Sequence, residues 1–205
     1  MATLVAGGGE AYPHKFHTTH QIPSYVEAFS SLADGERAES VEVAIAGRIM
    51  SKRIQGKLLF YDVHGDGAKV QVMSSMGDYD GDEDSFRATH NLLKRGDIVG
   101  FKGWPGKSKK GELSIFPKTL LLLSPCMHML PTSQSGLKNQ EVRYRQRYLD
   151  LILNNSTRTV FETRADIIKG IRRFLDERSF LEVRNVFLCY CVVVLGLPPA
   201  TELVL

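Results

Sequence analysis

From residue 41 to residue 123 the chain alternates apolar and polar residues in short segments that end at turn residues. Val41, Val43 and Ile45 illustrate the pattern, since every second side chain of a β-strand points to the same face. Segments of this kind are typical of half-buried strands. The pattern predicts five strands, at residues 41–51, 57–63, 69–73, 97–104 and 113–123.

The connections between these segments constrain how the strands are arranged. Residues 64–67, His-Gly-Asp-Gly, predict a tight hairpin turn, because glycine readily adopts positive φ. Between the third and fourth strands, Phe86, His90 and Leu93 predict a short helix. Three strands, a helix and two further strands form the element order of the OB-fold, a five-stranded Greek-key barrel. A different small β-barrel remains an alternative from the pattern alone.

Outside the predicted barrel the hydrophobic period changes to that of helices. Short helices are predicted at residues 24–32 and 139–153. Thr159 and Glu162 have the spacing of a capping box, which predicts that a further helix begins there and runs to residue 177. A strand is predicted at residues 180–183. The predicted class is an all-β OB-fold with a helical C-terminal connector, α+β overall.

Composition indicates the broad class of protein but says little about its function. Hydrophobic residues make up 43% and charged residues 24%, values that favour a globular chain over a disordered one. A formal net charge of +3 is too small to indicate a polyanionic partner by itself. Three cysteines give no disulfide framework, as is usual in a reducing cytosol. The apolar stretch at residues 186–197 is shorter than the roughly 20 residues of a membrane-spanning helix, so we expect a cytoplasmic protein without a membrane segment.

Two features have the chemistry of nucleic-acid binding, which needs aromatic surfaces for bases and cations for phosphates. Phe60 and Tyr61 are neighbours in the second predicted strand, so only one of the two rings can face the barrel interior. The other ring must lie outside, either as a platform for a base or as a merely tolerated exposed residue. The segment 102–110 carries four lysines and no acid. It either follows a phosphate backbone or is a solvated turn.

Metal and catalytic motifs are weak. His14, His17 and His20 are spaced by three residues, but they lie in a proline-bracketed terminal segment. The acidic segment 78–84 lacks the glycine and the closing glutamate of an EF-hand loop. Neither a nucleophile elbow nor a dinucleotide fingerprint is present in the sequence. We therefore expect neither a metal site nor catalytic residues in this chain.

Four longer strings carry a specific resemblance. They are AGRIMSKR at 46–53, RGDIVG at 95–100, KGELSI at 110–115 and RYRQRYLDL at 143–151. Together they closely resemble class II lysyl-tRNA synthetases of the eukaryotic cytosolic type, over about residues 12 to 183. The resemblance implies an OB-fold domain at residues 37–125 that binds the uridine-rich anticodon loop of lysine tRNA.

The resemblance also implies roles for four residues. Phe60 corresponds to the platform on which a base stacks, and Arg53 and Gln71 correspond to hydrogen-bonding partners of the central anticodon base. Glu112 corresponds to an acceptor near that base's neighbours. Phe60 and Gln71 fall on the second and third predicted strands, where they can share a face.

The rest of the chain divides by the same resemblance. Residues 1–36 form an N-terminal lead-in, residues 126–158 a linker and connector helix, and residues 159–184 resemble the start of class II motif 1, which builds the family's dimer interface. Residues 185–205 depart from the family, and we expect this apolar tail to have no sheet to join. Motifs 2 and 3, which hold ATP and Mg²⁺ in the family, are not found in the sequence.

These observations predict a fragment that binds tRNA without a cofactor and does not aminoacylate it. Two alternatives remain open. The chain acts as a lysine tRNA ligase, as the family does, or it is a non-catalytic partner that pairs with the full-length synthetase through the motif 1 segment.

Overall fold

The computed structural model describes residues 12–13, 15–56, 58–131, 137–183 and 193–195, with only the backbone at 183 and 193–195, and the chain forms two compact units that divide after residue 132. The first unit contains a closed barrel of five strands in the order β1-β2-β3-β5-β4. The strands are β1 (Val43–Gln55), β2 (Leu58–Gly65), β3 (Ala68–Ser75), β4 (Ile98–Lys107) and β5 (Leu113–Ser124). β3 pairs with β5 in parallel, and the other neighbours are antiparallel. The predicted OB-fold is confirmed.

β1 is longer than the sequence pattern predicts, because it continues to Gln55. A bulge between Ile49 and Ser51 shifts its pairing with β2, so that the residues that follow no longer fit the original alternation. The polar end of the strand is held by backbone pairing with β2, in which Arg53 lies opposite Phe60. Side-chain alternation therefore underestimates the strand, and the pairing determines where it ends.

The hairpin between β2 and β3 lies where the sequence predicts it, but the two glycines have different roles. Asp66 and Gly67 adopt positive φ, at 51° and 83°. Gly65 remains in β2, where a Cβ atom would lie 3.0 Å from Cδ1 of Ile22. Gly65 therefore permits close packing of Ile22, and only Gly67 supplies the positive φ that was predicted for glycine.

Two helices close over the barrel, α1 (Ile22–Phe29) and α2 (Glu83–Leu92). Ile22 and Tyr25 of α1 are buried in the same core as the barrel side chains. The barrel interior is filled by apolar residues of all five strands, among them Val43, Ile45, Val63, Val72, Val99 and Ile115. The first turn of α2 is capped by the Asp82 carboxylate, which accepts a hydrogen bond from the Ser85 backbone N–H at 3.2 Å.

A buried histidine joins α2 to the barrel. The imidazole of His90 is 2% exposed and is hydrogen bonded through Nδ1 to the Tyr61 hydroxyl and through Nε2 to Ser74 Oγ, 3.1 Å away. Lys52 Nζ donates to the backbone oxygen of His90 at 2.6 Å. Burial, with a smaller contribution from the Lys52 charge, lowers the pKa of His90 from 6.5 to about 4. His90 is therefore neutral in the folded protein near pH 7.

The second unit contains α3 (Gln140–Arg145), α4 (Arg147–Leu153) and α5 (Asn155–Asp176). The helical prediction at 139–153 is confirmed for residues 140–145 and 147–153, but the structure has two helices there, separated at Gln146, where φ is −111° and ψ is 57°. Hydrophobic spacing does not detect such an interruption, because it records the period of apolar residues and not the backbone dihedral angles of a single residue. The interruption lies within a cluster around the fully buried carboxylate of Asp150.

Asp150 is held by three side chains. It accepts hydrogen bonds from Arg143 Nε at 2.9 Å, Arg147 Nη1 at 2.9 Å and Asn154 Nδ2 at 2.6 Å. Burial by itself would raise the pKa of Asp150, but the hydrogen bonds from Arg143 and Asn154 and the Arg143 charge outweigh burial and lower that pKa. The arginines of the RYRQRYLDL string thus include two that organise this connector.

The predicted capping box at Thr159 and Glu162 is wrong. α5 already begins at Asn155, because the backbone N–H groups of Thr157 and Arg158 reach the Asn154 carbonyl. Inside the helix, Thr159 Oγ1 donates to the Asn155 carbonyl at 3.2 Å, and Glu162 pairs with Arg158 at 2.8 Å. Contacts earlier in the connector set the helix start, and the local pattern does not contain them.

The predicted strand after α5 is confirmed as β6 (Leu181–Val183). It pairs antiparallel with β7 (Val193–Leu195), so the expectation that the tail has no sheet to join is wrong for these residues. The other residues of the tail, the linker at 132–136 and His14 lie outside the described residues. No described helix is long and apolar enough to cross a membrane.

Acidification is expected to weaken the fold through His90. The unfolded chain takes up a proton near pH 6.5, whereas folded His90 does so only near pH 4, so stability is complete above pH 6.5 and is lost as the pH falls toward 4. Between pH 7 and pH 5 this linkage lowers the free energy of unfolding by about 2 kcal/mol. Urea unfolding at several pH values measures it.

The matched variant is His90→Gln, which cannot take up a proton. We expect it to be less stable than the parent at pH 7, because it alters the contacts with Tyr61 and Ser74, and to have a flatter pH dependence between pH 7 and 5. Parallel pH profiles for parent and variant would contradict this account.

Candidate nucleic-acid interface

The outer wall of the barrel carries the aromatic ring that the sequence places in question. Tyr61 is fully buried in the interior, so Phe60 lies on the outer face, where it is half-buried. Across the neighbouring strands, Phe60 lies opposite Arg53 on β1 and Met73 on β3. The ring is therefore on the barrel surface, among side chains of three strands.

The other predicted residues lie on the same face. Asp62 pairs with Gln71 across β2 and β3, and Gln71 pairs with Ser114 across β3 and β5. Glu112 immediately precedes β5. The fold thus places Arg53, Phe60 and Gln71 on one face of the barrel wall and Glu112 in contact with Gln71, while the roles implied for them stay predictions.

The Gln71 amide has a defined orientation. Gln71 is 7% exposed, and its Nε2 donates to Glu112 Oε2 at 2.8 Å. Its Oε1 lies 3.1 Å from Ser114 Oγ, whose single hydrogen is shared with the Glu112 backbone oxygen at 3.0 Å. The reverse orientation would place the amide oxygen against the Glu112 carboxylate, and both groups are acceptors. The Glu112 carboxylate and the Ser114 hydroxyl together therefore orient the Gln71 amide, and one of its two N–H groups is engaged by Glu112.

Arg53 is held beside this amide by an ion pair. Its Nη2 lies 3.1 Å from Asp62 Oδ1, and the two side chains are 52% and 31% exposed. An exposed pair of this kind contributes at most about 1 kcal/mol to stability. Its main effect is to orient a guanidinium whose five N–H donors are not exhausted by one carboxylate oxygen.

These side chains line a groove of about 500 Å³ on the barrel wall. Sequence reasoning missed several of its residues, among them Val26, Asp62, His64 and Lys69. It also missed Ser114, which contacts the Gln71 amide from β5. Asp62 and His64 lie on the same side of β2 as Phe60, and Lys69 lies on the same side of β3 as Gln71. Strand alternation was therefore the signal in the sequence that could have indicated these residues. It was insufficient because only the register shows that these positions meet.

His64 and Lys69 lie directly opposite each other at the hairpin end of the groove. Burial lowers the pKa of His64; the Asp62 charge opposes this and the Lys69 charge adds to it. The groove therefore combines two carboxylates, Asp62 and Glu112, with a guanidinium, an amide and an ammonium group. Such a mixed lining suits the N–H and carbonyl groups of a base edge better than a row of phosphates.

The lysine-rich segment 102–110 does not act as one surface. Lys102 Nζ pairs with Glu42 at 3.2 Å, on the part of β4 next to β1. Lys109 and Lys110 are exposed in the turn that leads to Glu112. A phosphate contact therefore remains a prediction for the turn that carries Lys109 and Lys110.

Metal ligands do not gather anywhere in the described residues, where no group of three or more histidine, cysteine, aspartate or glutamate side chains fits a metal ion. Asp78 of the acidic loop instead pairs with Arg37 at 3.3 Å and accepts from Ser75 Oγ at 2.7 Å. Cys189 and Cys191 lie outside the described residues. Among the described residues, therefore, no such cluster is present that could hold Mg²⁺.

Comparison with known families agrees with this geometry. Residues 43–123 match the OB-fold nucleic acid binding domain of the tRNA anticodon type, and residues 139–189 match the class II tRNA synthetases for D, K and N. The first match coincides with the barrel, from the start of β1 to the end of β5.

Curated relatives extend the match along most of the chain. A lysine–tRNA ligase of Cladosporium cladosporioides is 46% identical over 180 residues, which cover 85% of this chain and 30% of that protein. A lysine–tRNA ligase of Nostoc punctiforme is 40% identical, covering 87% and 32%. A probable cytoplasmic lysine–tRNA ligase of Encephalitozoon cuniculi is 39% identical, covering 87% and 34%.

The chain spans about a third of the length of these relatives. Within that span the two matches occur in order, the barrel first and the class II segment second. The chain belongs to the lysyl-tRNA synthetase family, and it comprises that family's anticodon-binding OB-fold domain followed by the beginning of the class II synthetase region.

Proposed function

We propose that this chain binds the anticodon loop of lysine tRNA through the groove on β1, β2 and β3, with a uridine stacked on Phe60. The observation that carries the proposal is the position of Phe60, outside the barrel and on the same face as the Gln71–Glu112 pair, while Tyr61 occupies the core. A stacked base contributes about 1–3 kcal/mol, and stacking alone is indifferent to base identity.

Selectivity for uridine comes from the polar groups around the ring. The pairing edge of uracil has an N–H donor between two carbonyl acceptors, so it is complementary to one acceptor flanked by donors. Glu112 offers the acceptor, while the second N–H of Gln71 and the guanidinium of Arg53 offer the donors. Cytosine would present an amino group in place of one carbonyl and an unprotonated ring nitrogen. Binding of cytosine would therefore leave polar groups of the protein unpaired, which strongly disfavours cytosine relative to uracil.

Removal of the platform should weaken binding without unfolding the domain. We expect Phe60→Ala to reduce affinity for a lysine anticodon stem-loop by about fivefold or more, as loss of one stacking contact of about 1–3 kcal/mol implies. Fluorescence anisotropy at one fixed salt concentration measures it, since phosphate contacts make affinity salt dependent.

The matched control is Phe116→Ala, which removes a ring that is 1% exposed beneath the Arg37 guanidinium. That variant should lose roughly 3–5 kcal/mol of unfolding free energy, as buried phenylalanines do. Unchanged RNA affinity in a folded Phe60→Ala protein would remove the basis of the proposal.

The relatives' names favour a second candidate, ligation of lysine to tRNA. The class II match of this chain covers residues 139–189, and ATP and Mg²⁺ belong to the lysylation reaction rather than to the proposed RNA contact. We expect the 205-residue chain to bind the stem-loop without either cofactor and without lysine-dependent exchange of pyrophosphate into ATP. Exchange above that of a no-enzyme control would favour the ligase function instead.

An exposed apolar face on α5 supports pairing with a full-length lysyl-tRNA synthetase. Val160, Ile167, Ile168, Ile171 and Phe174 are 67%, 58%, 39%, 55% and 53% exposed. Large apolar side chains so exposed along one helix indicate a surface that is covered in an assembly. We propose that this chain lies in the cytoplasm, which the name of the Encephalitozoon cuniculi relative, a probable cytoplasmic lysine–tRNA ligase, supports.

Charges placed on this face should prevent the pairing. We expect Ile168→Asp with Ile171→Asp to abolish co-purification with the full-length enzyme, because burial of unpaired carboxylates is strongly unfavourable. Lys169→Asp, which adds the same charge at a 72%-exposed neighbouring side chain, is the control and should still co-purify. Retention of the partner by the double variant would contradict the assignment of this face.

A further inference from the structure

A chain of buried polar groups runs from α1 to the amide that faces the groove. The Tyr25 hydroxyl, on a fully buried side chain, donates to the Ser114 carbonyl at 2.9 Å. Ser114 is itself fully buried, and its Oγ lies 3.1 Å from Gln71 Oε1 and 3.0 Å from the Glu112 backbone oxygen, so that its single hydrogen is shared between these two acceptors. Burial raises the pKa of Tyr25, so its hydroxyl stays protonated and remains a donor. The orientation of Gln71 is thus connected to a helix outside the barrel sheet.

This connection lies at the shortest junction of the barrel. β3 and β5 pair through only two residue pairs in the described register, Gln71 with Ser114 and Val72 with Ile115. By comparison, β4 and β5 pair along most of their length. The ladder that sets Ser114 opposite Gln71 is short, so the sheet alone constrains their relative position less than a longer ladder would. The bond from Tyr25 adds a constraint from the other side.

The orientation matters because a glutamine amide has a donor end and an acceptor end of nearly equal shape. With Oε1 on Ser114 and Nε2 on Glu112, the amide offers the groove an N–H group. A rotated amide would offer a carbonyl oxygen instead, which repels a uracil carbonyl and accepts from a cytosine amino group. Control of the amide is therefore control of base identity.

We infer that Tyr25 and Ser114 are positioning residues for base selection, and that α1 belongs to the recognition apparatus of the barrel. The inference rests on the proposed function, since it specifies how the same groove distinguishes uridine from cytidine. Val26, the next residue of α1, also lines the groove. The helix that precedes the barrel thus contributes both to the wall of the groove and to the alignment of its reading group.

The experiment compares binding of two stem-loop RNAs that differ only by uridine or cytidine at the middle anticodon position. Ser114→Ala removes the donor to Gln71, and we expect the uridine-to-cytidine affinity ratio to fall about tenfold, within the range for loss of an oriented polar contact to a base. Tyr25→Phe keeps the ring and removes only the hydroxyl, and we expect a fall of about threefold. The number of salt-dependent contacts should not change, because no phosphate-binding charge is altered.

The barrel itself supplies matched controls. Ser74 and Tyr61 are also fully buried and join His90 on another side of the core, so Ser74→Ala and Tyr61→Phe delete the same groups away from the groove. These variants should lower the thermal midpoint and leave the affinity ratio unchanged. A general loosening of the barrel would lower the ratio in all four variants and would overturn the inference.

The outcomes also separate this inference from the function on which it rests. If the parent protein does not distinguish the two RNAs, the proposed function fails and the inference with it. If the parent discriminates and Ser114→Ala and Tyr25→Phe match their controls, the inference alone is overturned. Should Ser114→Ala not fold, Tyr25→Phe, which retains the packing of its ring against Phe29, decides the question.

Discussion

Opposite facing of adjacent residues in β2 is the constraint on which the rest of this structure depends. Since successive side chains of a strand point to opposite faces, burial of Tyr61 requires Phe60 to lie outside. Tyr61 is fixed in the interior by the closely packed core around its ring, including ring contacts with His90 and Phe101. An apolar ring is thereby held on the surface by interactions on the other side of the barrel wall, and slippage of the strand by one residue would exchange the two rings.

The two faces of the wall use polar groups for different purposes. In the interior, Ser74, Tyr61 and His90 satisfy one another, and among the described residues no buried side-chain nitrogen or oxygen lacks a partner. On the outer face, Arg53 with Asp62 and Gln71 with Glu112 are paired but remain accessible from the groove. Internal pairing of this kind orients the groups before a ligand arrives, which reduces the entropy that binding would otherwise cost. In the proposed interface the Phe60 ring supplies affinity, and the two polar pairs supply selectivity.

In the connector helices, too, charged side chains pair with one another. Asp150 gathers Arg143, Arg147 and Asn154 around a carboxylate that has no contact with solvent. Two arginines that sequence alone would assign equally well to an RNA surface are engaged in holding short helices together. Charge in the RYRQRYLDL string therefore says less about nucleic acid than its composition suggests, and the case for RNA binding depends on the barrel groove.

The sequence by itself determined the barrel, because the period of two and the turn residues fix which segments are strands, and it determined that one of two adjacent rings must be exposed. Resemblance to the synthetases added Arg53, Gln71 and Glu112, whose chemistry cannot be deduced from spacing. Only the tertiary structure decided that Tyr61 is the inner ring, that Asp62, His64 and Lys69 meet at the groove, and that Tyr25 of α1 hydrogen bonds to Ser114. It also moved the start of α5 from Thr159 to Asn155 and interrupted the connector at Gln146. The physical reason is the same in each case: periodicity records which way a side chain faces, whereas register, bulges and long-range hydrogen bonds decide what it faces.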